Sequence, residues 1–287
     1  LKPQVRSALY SLGSPPMTPD LAIAPDERAP VPAFSVEGVN YSVAGRQLLH
    51  AIDMMFPAGE ITALIGHNGS GKSTLLKLLA RQIHPESGTI RYAGQDLNEL
   101  QGRAFSRKVA YLSQDVASAP GMTVRELVAC GRYPWHGALG RFTDNDRQKV
   151  AEAMGLTHLE GLANRAVETL SGGERQRAWI AMMMAQDSEC LLLDEPTSAL
   201  DIAHQLEVLS LVRRLSRERG LSVVVVLHDI NMAARFCDRI HALKDGRFIA
   251  SGRPADLMNS DKLRQIYAVQ MDVTQHPVLE IPLAYVS

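Results

Sequence analysis

Three of the six residues from 66 to 71 are glycine, and a lysine and a serine follow them, giving GHNGSGKS (66–73). No other stretch limits the fold of this chain so tightly. The apolar run EITALI (60–65) leads straight into it, and the leucines of the following STLLKLLARQ recur at helical spacing. A glycine turn between a strand and a helix offers converging backbone N–H groups and the positive end of a helix dipole, which together hold phosphate. In that setting the Lys72 ammonium reaches the β- and γ-phosphates of a nucleotide, and the Ser73 hydroxyl is placed to ligate Mg²⁺. The loop predicts a nucleoside-triphosphate site built by Gly66, His67, Asn68, Gly69, Ser70, Gly71, Lys72, Ser73 and Thr74.

The flanking segments extend this pattern. FSVEGVNYSV, SGTIRYAGQDL and KVAYLSQ read as strands, with Ala44-Gly45 as a turn after the first. From about 115 to 167 the chain becomes polar and helical, with TVRELVACG and TDNDRQKVAEAMG as its clearest amphipathic pieces. Beyond Gly173, helices alternate with CLLLD, SVVVVL and RIHALKDG, and Gly220 supplies a stop for the longest helix. Very apolar strands alternating with helices predict an α/β fold whose mostly parallel sheet is covered on both faces. The middle stretch then reads as a helical insertion in one domain spanning 33–287. Residues 1–32, rich in proline and small side chains without an apolar period, are expected to form a flexible tail, and 271–287 carry no interpretable motif.

Bulk properties remove several function classes. A net charge of -1 gives no basic excess for a nucleic-acid partner, and RRLSRERG near a helix end reads as a solvated face. No apolar run approaches the roughly 18 residues that would span a bilayer. Cys130, Cys190 and Cys237 are too scattered for a zinc site or a disulfide framework and suit a reducing compartment.

A second chemical feature is CLLLDE (190–195), an apolar strand ending in two carboxylates. It could be a solvated strand end or a helix cap. Beside a phosphate loop, Asp194 is expected in the Mg²⁺ shell and Glu195 as the base that polarises water. A third is LSGGERQR (170–177), another glycine turn leading into a helix. With the loop and the acids, it resembles the signature of the ABC ATPases over nearly all of 33–270.

That resemblance implies an ABC-type P-loop NTPase core, with a mostly parallel sheet, an antiparallel β-subdomain and the helical insertion. It implies an ATPase using ATP and Mg²⁺. Gln114 stands where the family has a glutamine contacting Mg²⁺ and water, and SALD (198–201) resembles the loop that crosses to a second subunit. His228 resembles the histidine that contacts the γ-phosphate. Tyr41 stands where an aromatic stacks on adenine, although it could equally pack on the core. Ser171, Gly172 and Gly173 would close over the nucleotide held by a second copy, so a dimer is implied.

No fused membrane domain, second phosphate loop or long coiled-coil pattern is visible, which favours a separate importer subunit. MTVRELVACGRYPWHGALGRF (122–142), RQRAWIAMMMAQD and LDEPTSALDIAHQ resemble the ATPase of ferric-hydroxamate siderophore importers, and HDINMAARFCD also fits haem and cobalamin systems. This implies a membrane permease as partner, a substrate-binding protein acting indirectly, and a peripheral place on the cytoplasmic face of the bacterial inner membrane. A soluble regulatory or DNA-associated ATPase is the rival reading. Tyr133, Pro134 and Trp135 are an aromatic surface candidate, with Trp135 alternatively plugging the insertion's own core. Met182, Met183 and Met184, on successive helix positions, are read as core filling.

Overall fold

The computed structural model describes residues 31–114, 119–137 and 140–287. The expected tail therefore lies outside the described residues except for its last two positions.

Two sheets carry the fold. β1 (Phe34–Val43), β2 (Arg46–Phe56), β4 (Ser87–Tyr92) and β5 (Gln95–Asp96) form an antiparallel sheet in the order β2-β1-β4-β5. The larger sheet has the order β10-β9-β3-β8-β7-β6, comprising β3 (Ile61–Ile65), β6 (Val109–Leu112), β7 (Cys190–Leu193), β8 (Ser222–Val226), β9 (Arg239–Lys244) and β10 (Arg247–Gly252). Its pairings are parallel except at the edge, where β10 runs antiparallel to β9.

Every residue of β3, β7 and β8 is buried. The pleat divides them between two cores. Ala63, Ile65, Leu191, Leu193, Val223 and Val225 join one, and Leu64, Cys190, Leu192, Val224 and Val226 join the other. Each Val, Leu or Ile among them stabilises the fold by roughly 1.5–3 kcal/mol on full burial. The second core is closed by α1 (Lys72–Leu79), α2 (Gly102–Lys108) and the antiparallel sheet.

The first core reaches into the insertion, whose helices are α3 (Val124–Cys130), α4 (Tyr133–His136) and α5 (Asp144–Leu156). A bridge between Thr123 and Ala166 closes its base. Thr123 with Glu126, and Thr143 with Asp146, form reciprocal capping boxes that start α3 and α5. The α3 C-terminus lies against α6 (Gly172–Ala185) so closely that a Cβ on Gly131 would fall 2.0 Å from the Met182 carbonyl oxygen. Met183 and Met184 are buried and Met182 packs at the edge of the same core, as core filling requires.

Arg132 and Asp146 form a buried ion pair inside the insertion, 2.8 Å from Nε to Oδ1, and Arg132 also donates to the Ala185 carbonyl. Trp135 sits between the Arg107 and Arg132 guanidinium groups and donates its indole N–H to the Gln186 carbonyl at 2.7 Å. It is 38% exposed, and thus neither a core plug nor a free surface anchor, whereas Tyr133 is 57% exposed.

The C-terminal third adds α7 (Ile202–Arg219), ended by Gly220 at φ +66, then α8 (Ile230–Phe236), α9 (Pro254–Leu257) and α10 (Ser260–Tyr267). Residues without a readable motif form a hairpin of β11 (Met271–Gln275) and β12 (Pro282–Val286).

Candidate functional site

Parallel register assembles the site. Leu64 pairs with Val226, Leu193 with Val225, and Leu112 with Leu193. The residues just after β3, β6, β7 and β8 consequently emerge at one edge of the sheet. These are the glycine loop, Gln114, Asp194 with Glu195, and His228.

Gly66 turns the chain out of β3 at φ +142, and a Cβ there would lie 2.0 Å from the Leu243 carbonyl oxygen, so only glycine fits. Gly71 takes φ +98 as the N-cap of α1, which has no side-chain cap. Lys72 is buried and donates to the carbonyls of Gly66 at 2.9 Å and His67 at 3.0 Å. Burial lowers its pKa, while the charges of Glu195 and Asp194 oppose that shift.

Ser73 Oγ donates to Asp194 Oδ1 at 2.8 Å, across 121 positions of sequence. Asp194 is nearly inaccessible, and burial raises its pKa against the Ser73 hydrogen bond, with the neighbouring Glu195 adding to the rise. Glu195 has a left-handed backbone, φ +50, rare for a residue with a Cβ. Its Oε1 lies 2.7 Å from His228 Nε2, and its Oε2 accepts from Gln114 Nε2 at 2.9 Å. The carboxylate is thus held from both sides, each oxygen by a different element.

Asn68, Gly69, Ser70, Gly71, Lys72, Ser73, Thr74, Gln114, Glu195 and His228 line one cleft of about 440 Å³ together with Arg46 and Leu48. Arg46 and Leu48 come from the antiparallel sheet and carry no sequence signal. His67 faces elsewhere, with Nε2 3.2 Å from Asp245 Oδ1. Tyr41 is half-buried on β1 against the second core and does not line this cleft.

The second glycine turn stands apart. Ser171 caps α6 in a reciprocal box with Glu174. Gly172 lines a second cavity of about 440 Å³ with Gln114, Asp194, Glu195, Arg175 and Ser198, which adjoins the glycine-loop cleft at Gln114 and Glu195. None of Ser171, Gly172 or Gly173 lines the glycine-loop cleft. Within one chain, the two turns do not enclose a common space.

The sequence model of the ABC transporter family matches residues 49–198, more than half of the chain. The chain belongs to the ABC transporter family. This ABC cassette is 39% identical over 251 residues to the iron(3+)-hydroxamate import ATP-binding protein FhuC of Bacillus subtilis (strain 168), covering 88% of this chain and 93% of that protein. It is 40% identical over 227 residues to the ferric enterobactin transport ATP-binding protein FepC of Escherichia coli (strain K12), covering 79% and 84%. Among solved structures, an inward-facing putative metal-chelate type ABC transporter matches with TM-score 0.77 and 28% identity over 89% of this chain and 97% of that one. The dimeric structure of the bacterial cassette MJ0796 matches with TM-score 0.66 and 29% identity over 77% and 98%.

The ABC cassette described here is an α/β ATPase, and no helix among its described residues is long and apolar enough to cross a membrane. The matched MJ0796 cassette is dimeric.

Proposed function

We propose that two copies of this cassette bind ATP between them and hydrolyse it to drive a membrane permease that imports an iron(III)–siderophore chelate, with hydroxamates as the cargo class. The observation that carries the catalytic part is the suspension of Glu195 between Gln114 and His228 beside the Ser73–Asp194 pair. Glu195 accepts the proton of the attacking water, and a positioned base of this kind contributes about 10²–10⁴ in rate. His228 and Gln114 hold its two oxygens apart and aimed. Lys72 exchanges its loop carbonyls for phosphate oxygens.

Ser73 and Asp194 present adjacent oxygen donors, the chemistry that Mg²⁺ prefers, and Gln114 is near enough to Glu195 to join them. Among the described residues no group of three or more His, Cys, Asp or Glu side chains could hold a metal alone. Bound at Ser73 and Asp194, Mg²⁺ neutralises charge on the β- and γ-phosphates.

Ser171, Gly172 and Gly173 act on the ATP of the second copy, a reading supported by their separation from the glycine-loop cleft. Tyr41 as the adenine partner has weaker support, since it lies outside the cleft lining. The permease places the cassette at the cytoplasmic face of the inner membrane, with a substrate-binding protein delivering the chelate. Hydroxamate cargo is supported by the likeness to FhuC, and a catecholate chelate by the equal likeness to FepC.

Uptake of labelled ferric hydroxamate and ferric enterobactin in a strain lacking the gene, complemented by wild type or Glu195→Gln, tests both parts. Restoration of hydroxamate uptake by wild type alone is expected. Restoration of enterobactin uptake only would move the cargo class, and full restoration by Glu195→Gln would defeat the catalytic assignment.

A further inference from the structure

His228 has little packing of its own, since its side chain is 44% exposed. Its direction is set by the 2.7 Å contact with Glu195 Oε1 and by the backbone on either side. Upstream, the Leu227 N–H donates to the Leu64 carbonyl and fastens the end of β8 to β3. Downstream, Asp229 caps α8, its carboxylate accepting from the N–H groups of Asn231 at 2.7 Å and Met232 at 3.3 Å.

Ile230, Ala233, Ala234 and Phe236 seat α8 in the first core, and a further tie comes from the far end of the chain. Asn231 Oδ1 accepts from the Ala284 N–H at 2.8 Å, and Asn231 Nδ2 donates to the Ala284 carbonyl at 2.9 Å. One amide thus satisfies both polar groups of one β12 residue that is only 5% exposed. Two opposed hydrogen bonds also fix which end of the amide is oxygen. The hairpin is seated in turn. Met271 and Val273 pack on the larger core, and Lys244 Nζ donates to the Gln265 carbonyl of α10 just before it.

We infer that Asn231 is a positioning residue for hydrolysis: by clasping Ala284 it adds the C-terminal hairpin to the core packing that holds α8, and so sharpens the aim of the His228 imidazole at Glu195. Asn231 does not line the nucleotide cleft, so its effect belongs to turnover and not to ATP affinity. The inference rests on the role proposed for His228.

A double-mutant cycle between Asn231 and His228 tests it, using single-turnover hydrolysis and nucleotide binding by the full-length protein well below its thermal midpoint. Asn231→Leu keeps the side-chain shape and removes both hydrogen bonds. Turnover is expected to fall about fivefold, the effect of losing roughly one hydrogen bond's worth of alignment, while the ATP dissociation constant stays unchanged. Asn231→Asp, which still accepts from the Ala284 N–H but sets a carboxylate oxygen against the Ala284 carbonyl, is expected to lower turnover at least as far and serves if the leucine variant folds poorly. In a His228→Ala background neither substitution should lower turnover further. If the losses instead multiply, or if Asn231→Leu hydrolyses at the wild-type rate, the inference is overturned while the role of His228 stands. Full turnover in His228→Ala alone would remove that role and the inference with it.

Discussion

Gly173 packs directly against His204: a Cβ on the glycine would lie 2.2 Å from Cδ2 of the imidazole. The second glycine turn and the start of α7 are therefore in contact within one chain. His204 is itself fastened to the α7 N-cap, with Nδ1 2.8 Å from Asp201 Oδ1. A side chain at position 173 has two consequences, displacement of this packing and intrusion on whatever the turn faces.

Those consequences can be separated. Gly173→Asp should lower the thermal midpoint, by an overpacking cost of about 1–3 kcal/mol. Adding His204→Ala opens the space and should restore the midpoint. ATP-driven dimerisation, followed by gel filtration, should remain lost in the double variant because a carboxylate beside the turn's N–H groups repels the phosphate they are proposed to meet in the second copy. Dimerisation that returns together with stability would show that the turn acts only as packing.

Glu195→Gln changes little in the resting geometry, since the amide still accepts from Gln114 and can donate to His228 Nε2. Phosphate release should fall by about 10²–10⁴, with ATP binding retained and a nucleotide-bound dimer accumulating. Turnover within tenfold of wild type would exclude Glu195 as the base.

Lys72→Ala removes the buried ammonium that the loop carbonyls hold ready. Charge-assisted hydrogen bonds of about 1.5–3 kcal/mol imply a roughly 10–100-fold weaker ATP affinity, which calorimetry would measure. Unchanged affinity would remove the phosphate role of Lys72.

Arg132 and Asp146 make a stability prediction. Burial by itself would raise the Asp146 pKa, but hydrogen bonds from Thr143 and the Arg132 pairing outweigh it and hold the carboxyl down at about 2. A folded pKa below the unfolded value of about 3.9 gives stability that is complete above that value and is lost as pH falls toward about 2. Asp146→Asn should therefore be less stable than wild type at neutral pH, with the gap narrowing below about pH 4. Asp146→Ala, leaving the Arg132 charge buried without its carboxylate, should cost about 3–5 kcal/mol in chemical denaturation. A gap that is constant with pH would refute the charged pairing.

Tyr133 and Trp135 should part company. Trp135→Ala cuts an indole hydrogen bond and two cation–π contacts, and should lower the thermal midpoint. Tyr133→Ala should leave the midpoint unchanged and weaken co-purification with the permease, because the ring is already exposed. The reverse pattern would make Trp135 the anchor.

Much of this protein is legible along the chain because its signals are local. The strand, glycine loop and helix around Lys72, the acids closing CLLLDE, the capping-box spacing at Ser171 and Glu174, and the stop at Gly220 all depend on neighbours within a few residues. Period and turn chemistry act at that range, so sequence by itself determined the α/β class, the parallel core and the residue types of the site. The C-terminal hairpin is not legible because its strands are only partly buried and show no strong apolar run, and Asn231 because a lone amide has no pattern. What tertiary structure alone decided is which distant groups meet. Parallel register, not sequence distance, sets Ser73 against Asp194 and Glu195 between Gln114 and His228. The buried Arg132–Asp146 pair and the clasp of Asn231 on Ala284 likewise join elements far apart in sequence. Separation of the second glycine turn from the first is also a tertiary fact: a turn's local chemistry defines what it can bind, but only packing defines whose ligand it faces.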